Sequence, residues 1–236
     1  MKACRGFTLV ELAMVLFVVS LLLGGLLVPL ATQIEARQRS DAEEQLERIR
    51  EALIGFAIIN GRFPCHTTTT DPASASYGEE NLPCDTLTTD GILPWKTLGL
   101  NNGLDPWGVQ RTASADAWTG HWRYRARINF ISQFTLNTPV DAPPSPADKL
   151  CVNDADGNLL VSVSETPVVI VYSTGANKTV EGLNVTYEAT STSTNCVNNT
   201  PITYQGGAAS ANFDDITIWL TRPLLFNRMV SAGVLP

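Results

Sequence analysis

The chain has 236 residues, with 16 Lys and Arg against 23 Asp and Glu and a formal charge of −7. That length holds one sizeable core, or one domain with an appendage. The acidic balance excludes a basic stripe for nucleic acid over the whole chain, so no nucleic-acid partner is expected.

Met1–Gly6 reads MKACRG, short, basic and polar. The next 25 residues, Phe7–Ala31, read FTLVELAMVLFVVSLLLGGLLVPLA, and Glu11 is their one ionisable side chain. At about 1.5 Å per residue this stretch forms about 37 Å of helix, more than the ~30 Å hydrocarbon core requires. Only a hydrogen-bonded helix crosses that layer as a single segment. A secretory signal carries a shorter apolar run of roughly 7–15 residues, so removal of the whole stretch near Ala31 is the weaker reading. A carboxylate near a bilayer centre costs about 2.5–3.5 kcal/mol on insertion scales. Glu11 therefore either lies at headgroup level or meets a positive partner. A cut after Gly6 supplies one, the new amine of Phe7, one helical turn away or on a neighbouring subunit.

Gly6-Phe7-Thr8-Leu9-Val10-Glu11-Leu12 resembles the processing motif of type IV pilins and type II secretion pseudopilins. The resemblance implies that prepilin peptidase cuts after Gly6 and N-methylates Phe7, and that Glu11 helps neighbouring subunits dock. It implies a structural subunit, a minor pilin or pseudopilin, and not an enzyme. The implied partners are the peptidase, other pilin or pseudopilin subunits and the bacterial inner membrane, crossed once, with a periplasmic or extracellular globular part. Residues 1–6 would be the leader, 7–31 the transmembrane and assembly helix, 32–60 an amphipathic helix, and 61–236 the globular domain. The alternative is a tip or adhesive module contacting a substrate, a surface or DNA. A membrane-anchored enzyme is a further alternative.

Gly24, Gly25 and Pro29 interrupt a good helix former, at costs of about 1 kcal/mol per Gly and about 3 for Pro in a helix interior. They mark either a tolerated kink or a loosened turn used in assembly. Beyond Ala31 the pattern becomes amphipathic. Leu46, Ile49, Leu53 and Phe56 recur at three- and four-residue steps among charged neighbours. The helix is expected from about Phe7 to Ile59, with Asn60-Gly61 as its stop.

Residues 61–120 are rich in Pro, Gly and Thr. Four cysteines follow the leader: Cys65, Cys84, Cys151 and Cys196. None has metal-binding Cys-x-x-Cys spacing, so disulfides in an oxidising compartment are expected. Of the three pairings that four cysteines allow, the sequential one, Cys65–Cys84 and Cys151–Cys196, is adopted. Each bridge would be worth roughly 3–4 kcal/mol by loop entropy. Asp105-Pro106-Trp107-Gly108 resembles a turn of the major pseudopilins.

His121–Leu136 alternates as a strand, placing Arg123, Arg125 and Arg127 on one face, read here as solvated. Asp156-Gly157 predicts a hairpin between Cys151-Val152 and Leu159–Val163. Pro167–Thr174 and Ile216–Leu220 read as further strands. The expected fold class is α+β, a long N-terminal helix packed on an antiparallel sheet as in the pilins. Asp154, Asp156 and Asn158 form a turn rather than a calcium loop. Asp214 and Asp215 are weak calcium candidates, and no other cofactor is expected. His66 and His121 are the only histidines, and no catalytic motif appears, so no catalytic residues are assigned.

Overall fold

The computed structural model describes residues 8–83, 90–108, 120–138, 150–161, 165, 167–176, 202–210 and 213–234. For residues 23–31 and 202–203 it describes the backbone alone. The expected cleavage residues Gly6 and Phe7, and the cysteines Cys84 and Cys196, lie outside these.

Helix α1 spans Leu9–Asn60 and remains helical through Gly24, Gly25 and Pro29. The chain divides into two compact units, Met1–Ser40 and Asp41–Pro236. In the first, every described side chain from Thr8 to Leu22 is exposed. No helix among the described residues is long and apolar enough to cross a membrane. The segment expected to do so, 7–31, includes Phe7 and the side chains of 23–31, which are outside the description.

In the second unit, α1 supplies Ala42, Leu46, Ile49, Leu53 and Ala57 to the core. Their steps of three and four residues put them on one face of the helix. The expected stripe bends at its end. Ala57 takes the buried position, while the half-buried Phe56 ring lies under the Arg62 guanidinium, 5.4 Å from its centroid. The stop is where the sequence places it. Asn60 Nδ2 donates to the Phe56 carbonyl at 2.9 Å, and Gly61, with φ 65°, donates its N–H to the Ala57 carbonyl at 2.9 Å. A positive φ in this range costs a residue with a Cβ, and glycine none.

Four strands form an antiparallel sheet in the order β1-β2-β4-β6: β1 is Gly91–Ile92, β2 Arg123–Ala126, β4 Pro167–Ser173 and β6 Ile216–Thr221. One face of the sheet, with Tyr124, Ala126, Val169, Val171 and Leu220, joins the α1 stripe in one core. A C-terminal helix that the sequence reading did not anticipate, α3 (Arg222–Ser231), adds Leu225, Phe226 and Met229 to it. Pro223 occupies the first turn of α3, where its missing N–H costs no hydrogen bond.

The expected α+β class and antiparallel sheet are present, but that sheet is not the whole of the β-structure. Strands β3 (Leu150–Asn153) and β5 (Ile202–Gln205) pair in parallel as a second, two-stranded sheet. Leu150, Val152, Val161 and Tyr204 from this layer pack with Ile170, Tyr172 and Trp219 of the first sheet. The first sheet is therefore covered on both faces, by helices on one and by β3–β5 on the other.

Two strand expectations are also corrected. His121–Leu136 is not one strand: after Ala126 the chain turns into a single helical turn, α2 (Ile128–Ile131), which buries Phe130 and Ile131. Two aromatic residues of that run pack against each other, with Phe130 and Phe134 ring centroids 5.1 Å apart. The Asp156-Gly157 hairpin is reduced to a tight turn. Among the described residues its return leg makes one bridge, Asn153 with Leu159, and one further hydrogen bond, Leu160 N–H to the Val152 carbonyl at 2.8 Å, while 162 and 163 of the expected strand lie outside the description.

Candidate functional site

The start of α1 is built by two residues. The Thr8 backbone N–H and its hydroxyl both donate to Glu11 Oε2 at 2.8 Å. In return, the Glu11 N–H donates to Thr8 Oγ1 at 3.3 Å. This is a capping box: the first turn of a helix leaves its N–H groups without intrahelical partners, and a Thr-x-x-Glu pair satisfies two of them reciprocally. An amine partner or a place at headgroup level, the two expectations for Glu11, leaves this cap out of account. The signal, Thr8-Leu9-Val10-Glu11 ahead of an apolar run, was in plain view.

The Asp105-Pro106-Trp107-Gly108 turn is also held by a carboxylate. Asp105 Oδ1 accepts the N–H groups of Trp107 at 3.1 Å and Gly108 at 3.0 Å. Its Oδ2 accepts the Ser173 hydroxyl at 2.6 Å, which ties the turn to the end of β4. Asp154 acts similarly in its own turn, accepting from the backbone of Asp156 and Asn158 and from the Asn158 amide. These bonds favour the ionised carboxyl, and its pKa falls below the ordinary value.

Arg123, Arg125 and Arg127 are the clearest correction. Read as a solvated face, they are buried, with 1%, 5% and 1% of their surface exposed. Arg123 and Arg125 share a face of β2, as the alternation predicts, but β3–β5 covers that face, and Arg127 lies just beyond the strand at the start of α2. Guanidinium groups withdrawn from water need opposite charge and hydrogen bonds. Arg125 Nη1 lies 3.5 Å from Asp90 Oδ1, and the Arg123 guanidinium lies 6.0 Å from the Tyr172 ring centroid. The Tyr204 hydroxyl of β5 donates to Asp90 at 3.1 Å. Asp90 thus touches both sheets. Burial pushes its carboxyl up to about 7, against the opposing pull of Arg125, Tyr204 and Arg123. His66, buried beside Gly91, is pushed down to about 4, first by burial and then by the charge of Arg125.

Cys65 and Cys151 are both disulfide-bonded. The segment after α1 is fastened around Cys65 by Glu80, which receives Arg62 in a two-pronged pair at 2.8 and 2.9 Å and the Cys65 N–H at 3.0 Å. Of the two calcium candidates, Asp215 is buried, and Asp214 packs against Gly175. Among the described residues no group of three or more His, Cys, Asp or Glu side chains is gathered to hold a metal ion.

Residues 1–27 match the prokaryotic N-terminal methylation motif, the signal motif of type IV pilins and pseudopilins. That motif implies a precursor processed by prepilin peptidase and assembly with other pilins. No curated protein and no solved structure matches the chain.

Proposed function

We propose that this chain is a minor pilin or pseudopilin, a structural subunit of a type IV pilus or a type II secretion pseudopilus. Prepilin peptidase removes residues 1–6 by hydrolysing the Gly6–Phe7 bond and then methylates the Phe7 amine. Residues 7–31 hold the subunit in the bacterial inner membrane by a single pass until it enters the fibre. The disulfide-bonded domain stays on the periplasmic or extracellular side, with Cys65 joined to Cys84 and Cys151 to Cys196.

The observation that carries this reading is the motif match over residues 1–27. The geometry at Glu11 supports it. The cut falls one residue before the capping Thr8, so the helix keeps its first turn after processing. Glu11 then lies one turn from a new positive charge, and a neighbour's amine would offset the cost of its carboxylate in an apolar bundle. Proteins of the pilin-motif family are structural subunits, which supports the same reading.

Mass spectrometry of the mature N-terminus is the direct test. The expected first residue is a methylated Phe7. A chain starting near Thr32, or one retaining Met1 in a strain with active peptidase, overturns the proposal. A Glu11→Ala variant is expected to be cut normally but to be lost from sheared fibres, while remaining in the membrane fraction.

A further inference from the structure

We propose that Asp90 is a proton-linked tie between the two sheets, holding the β3–β5 layer on the first sheet most firmly when its carboxyl carries a proton and less firmly when it is ionised. The inference is independent of the role in pilus assembly and rests on the position of one side chain.

Asp90 immediately precedes β1, and its carboxyl lies in the seam between the layers. From β2 it faces Arg125 at 3.5 Å and, further off, Arg123. From β5 the Tyr204 hydroxyl donates to it at 3.1 Å on one oxygen and 3.4 Å on the other. From β4, Tyr172 stacks edge-on to Tyr204 with ring centroids 5.8 Å apart, and Tyr172 in turn feels the charge of Asp215 beside β6. Among the described residues, His66 of the segment before β1 also feels the charge of Arg125. All these groups are buried. Tyr204 is the contact through which β5 reaches Asp90, so the state of that carboxyl bears directly on how β3–β5 is docked.

The neutral carboxyl accepts the tyrosine hydroxyl without a desolvated charge. The ionised one keeps that bond and gains attraction to Arg125, but it must remain an anion away from water. Burial outweighs the guanidinium and the hydroxyl, which places the change near neutral pH. A carboxyl whose folded-state pKa lies above its value in the opened chain stabilises the closed state below that opened-chain value. It loses this contribution as pH rises through the folded value. Opening of the second layer therefore becomes easier from pH 6 to pH 8.

The test is hydrogen exchange on the full chain in detergent, read on the amides of β3 and β5 at pH 6 and pH 8 and corrected for intrinsic exchange. The pH 8 to pH 6 ratio of opening constants is expected to be about tenfold larger in the wild type than in Asp90→Asn, which cannot ionise. His66 contributes equally to both chains and cancels from the comparison. Equal ratios in the two proteins overturn the proposal. Should Asp90→Asn not fold, carbon-13 NMR titration of the Asp90 carboxyl in the wild type decides. A midpoint near neutrality is expected, and a midpoint in the ordinary carboxylate range overturns the tie.

Discussion

His66 and Asp90 show how two buried side chains next to one arginine acquire opposite responses to acid. The folded chain refuses a proton at His66 until about pH 4, whereas the free imidazole takes one near 6.5. Stability from His66 is thus fully present above pH 6.5 and is lost as pH falls towards 4. Asp90 behaves in the opposite sense. Its contribution is present below its ordinary value of 3.8 and is lost as pH rises towards about 7. Between pH 4 and 6.5 the two slopes oppose each other, and the wild type is expected to show a nearly flat stability profile. His66→Phe should unmask the Asp90 slope, with stability falling as pH rises through this window by up to about 3 kcal/mol. Urea denaturation of the full chain at pH 4.5, 5.5 and 6.5 checks this. A flat profile in the variant counts against it.

At the scale of elements, the loop before β2 is shaped by one indole. Trp95 lies in a slot between Gly78 and Gly103, where an added Cβ would come within 2.3 Å of Nε1 and 2.2 Å of Cδ1. Tyr77 packs edge-on to Trp95 at 5.8 Å and hydrogen-bonds His121 Nε2 at 3.0 Å, so the slot couples the loop to the start of β2. Gly103 is needed for space and not for its backbone, because no positive φ occurs there. Gly103→Ala is expected to displace the indole and cost about 1–3 kcal/mol, the usual range for overpacking. A lowered melting temperature together with a shifted tryptophan emission is the expected signature.

Elements were legible wherever the chain states both its period and its neighbour. The stripe Leu46, Ile49, Leu53 marks the packed half of α1, and Asn60-Gly61 marks its end. The apolar run at 167–173 is β4, and Ile216–Thr221 is β6. Alternation correctly put Arg123 and Arg125 on one face of β2, but it carries no information about what covers that face. The covering strands are four residues each, too short for a periodic signal, and their partners are far apart in sequence. The Thr8–Glu11 cap is also legible, as a Thr-x-x-Glu spacing ahead of an apolar run.

In the whole second unit, the C-terminal helix closes the core that α1 begins. Phe226 lies 6.4 Å from Phe130 and 6.0 Å from Phe134 between ring centroids, with the Arg222 guanidinium 4.6 Å from its own. Arg228 reaches Glu51 of α1 at 3.2 Å, an exposed pair of small worth. The helix is therefore held by its apolar face. Phe226→Ala should destabilise the unit by about 3–5 kcal/mol, while Arg228→Ala should change it by less than about 1 kcal/mol. Thermal melts of the two variants side by side separate these expectations, and similar losses would show that the ion pair had been undervalued.

The parallel pairing of β3 with β5 has a kinetic consequence. Leu150 meets Ile202 and Asn153 meets Gln205, so this ladder forms only after the chain has travelled out through β4 and returned. Contacts of such long sequence separation incur their loop-closure entropy before any pairing offsets it. The antiparallel pairs close over similar separations, as Arg123 with Tyr172 and Pro167 with Thr221 show. What sets the second layer apart is what its closure does: docking of β3 and β5 takes the arginine face of β2 out of water.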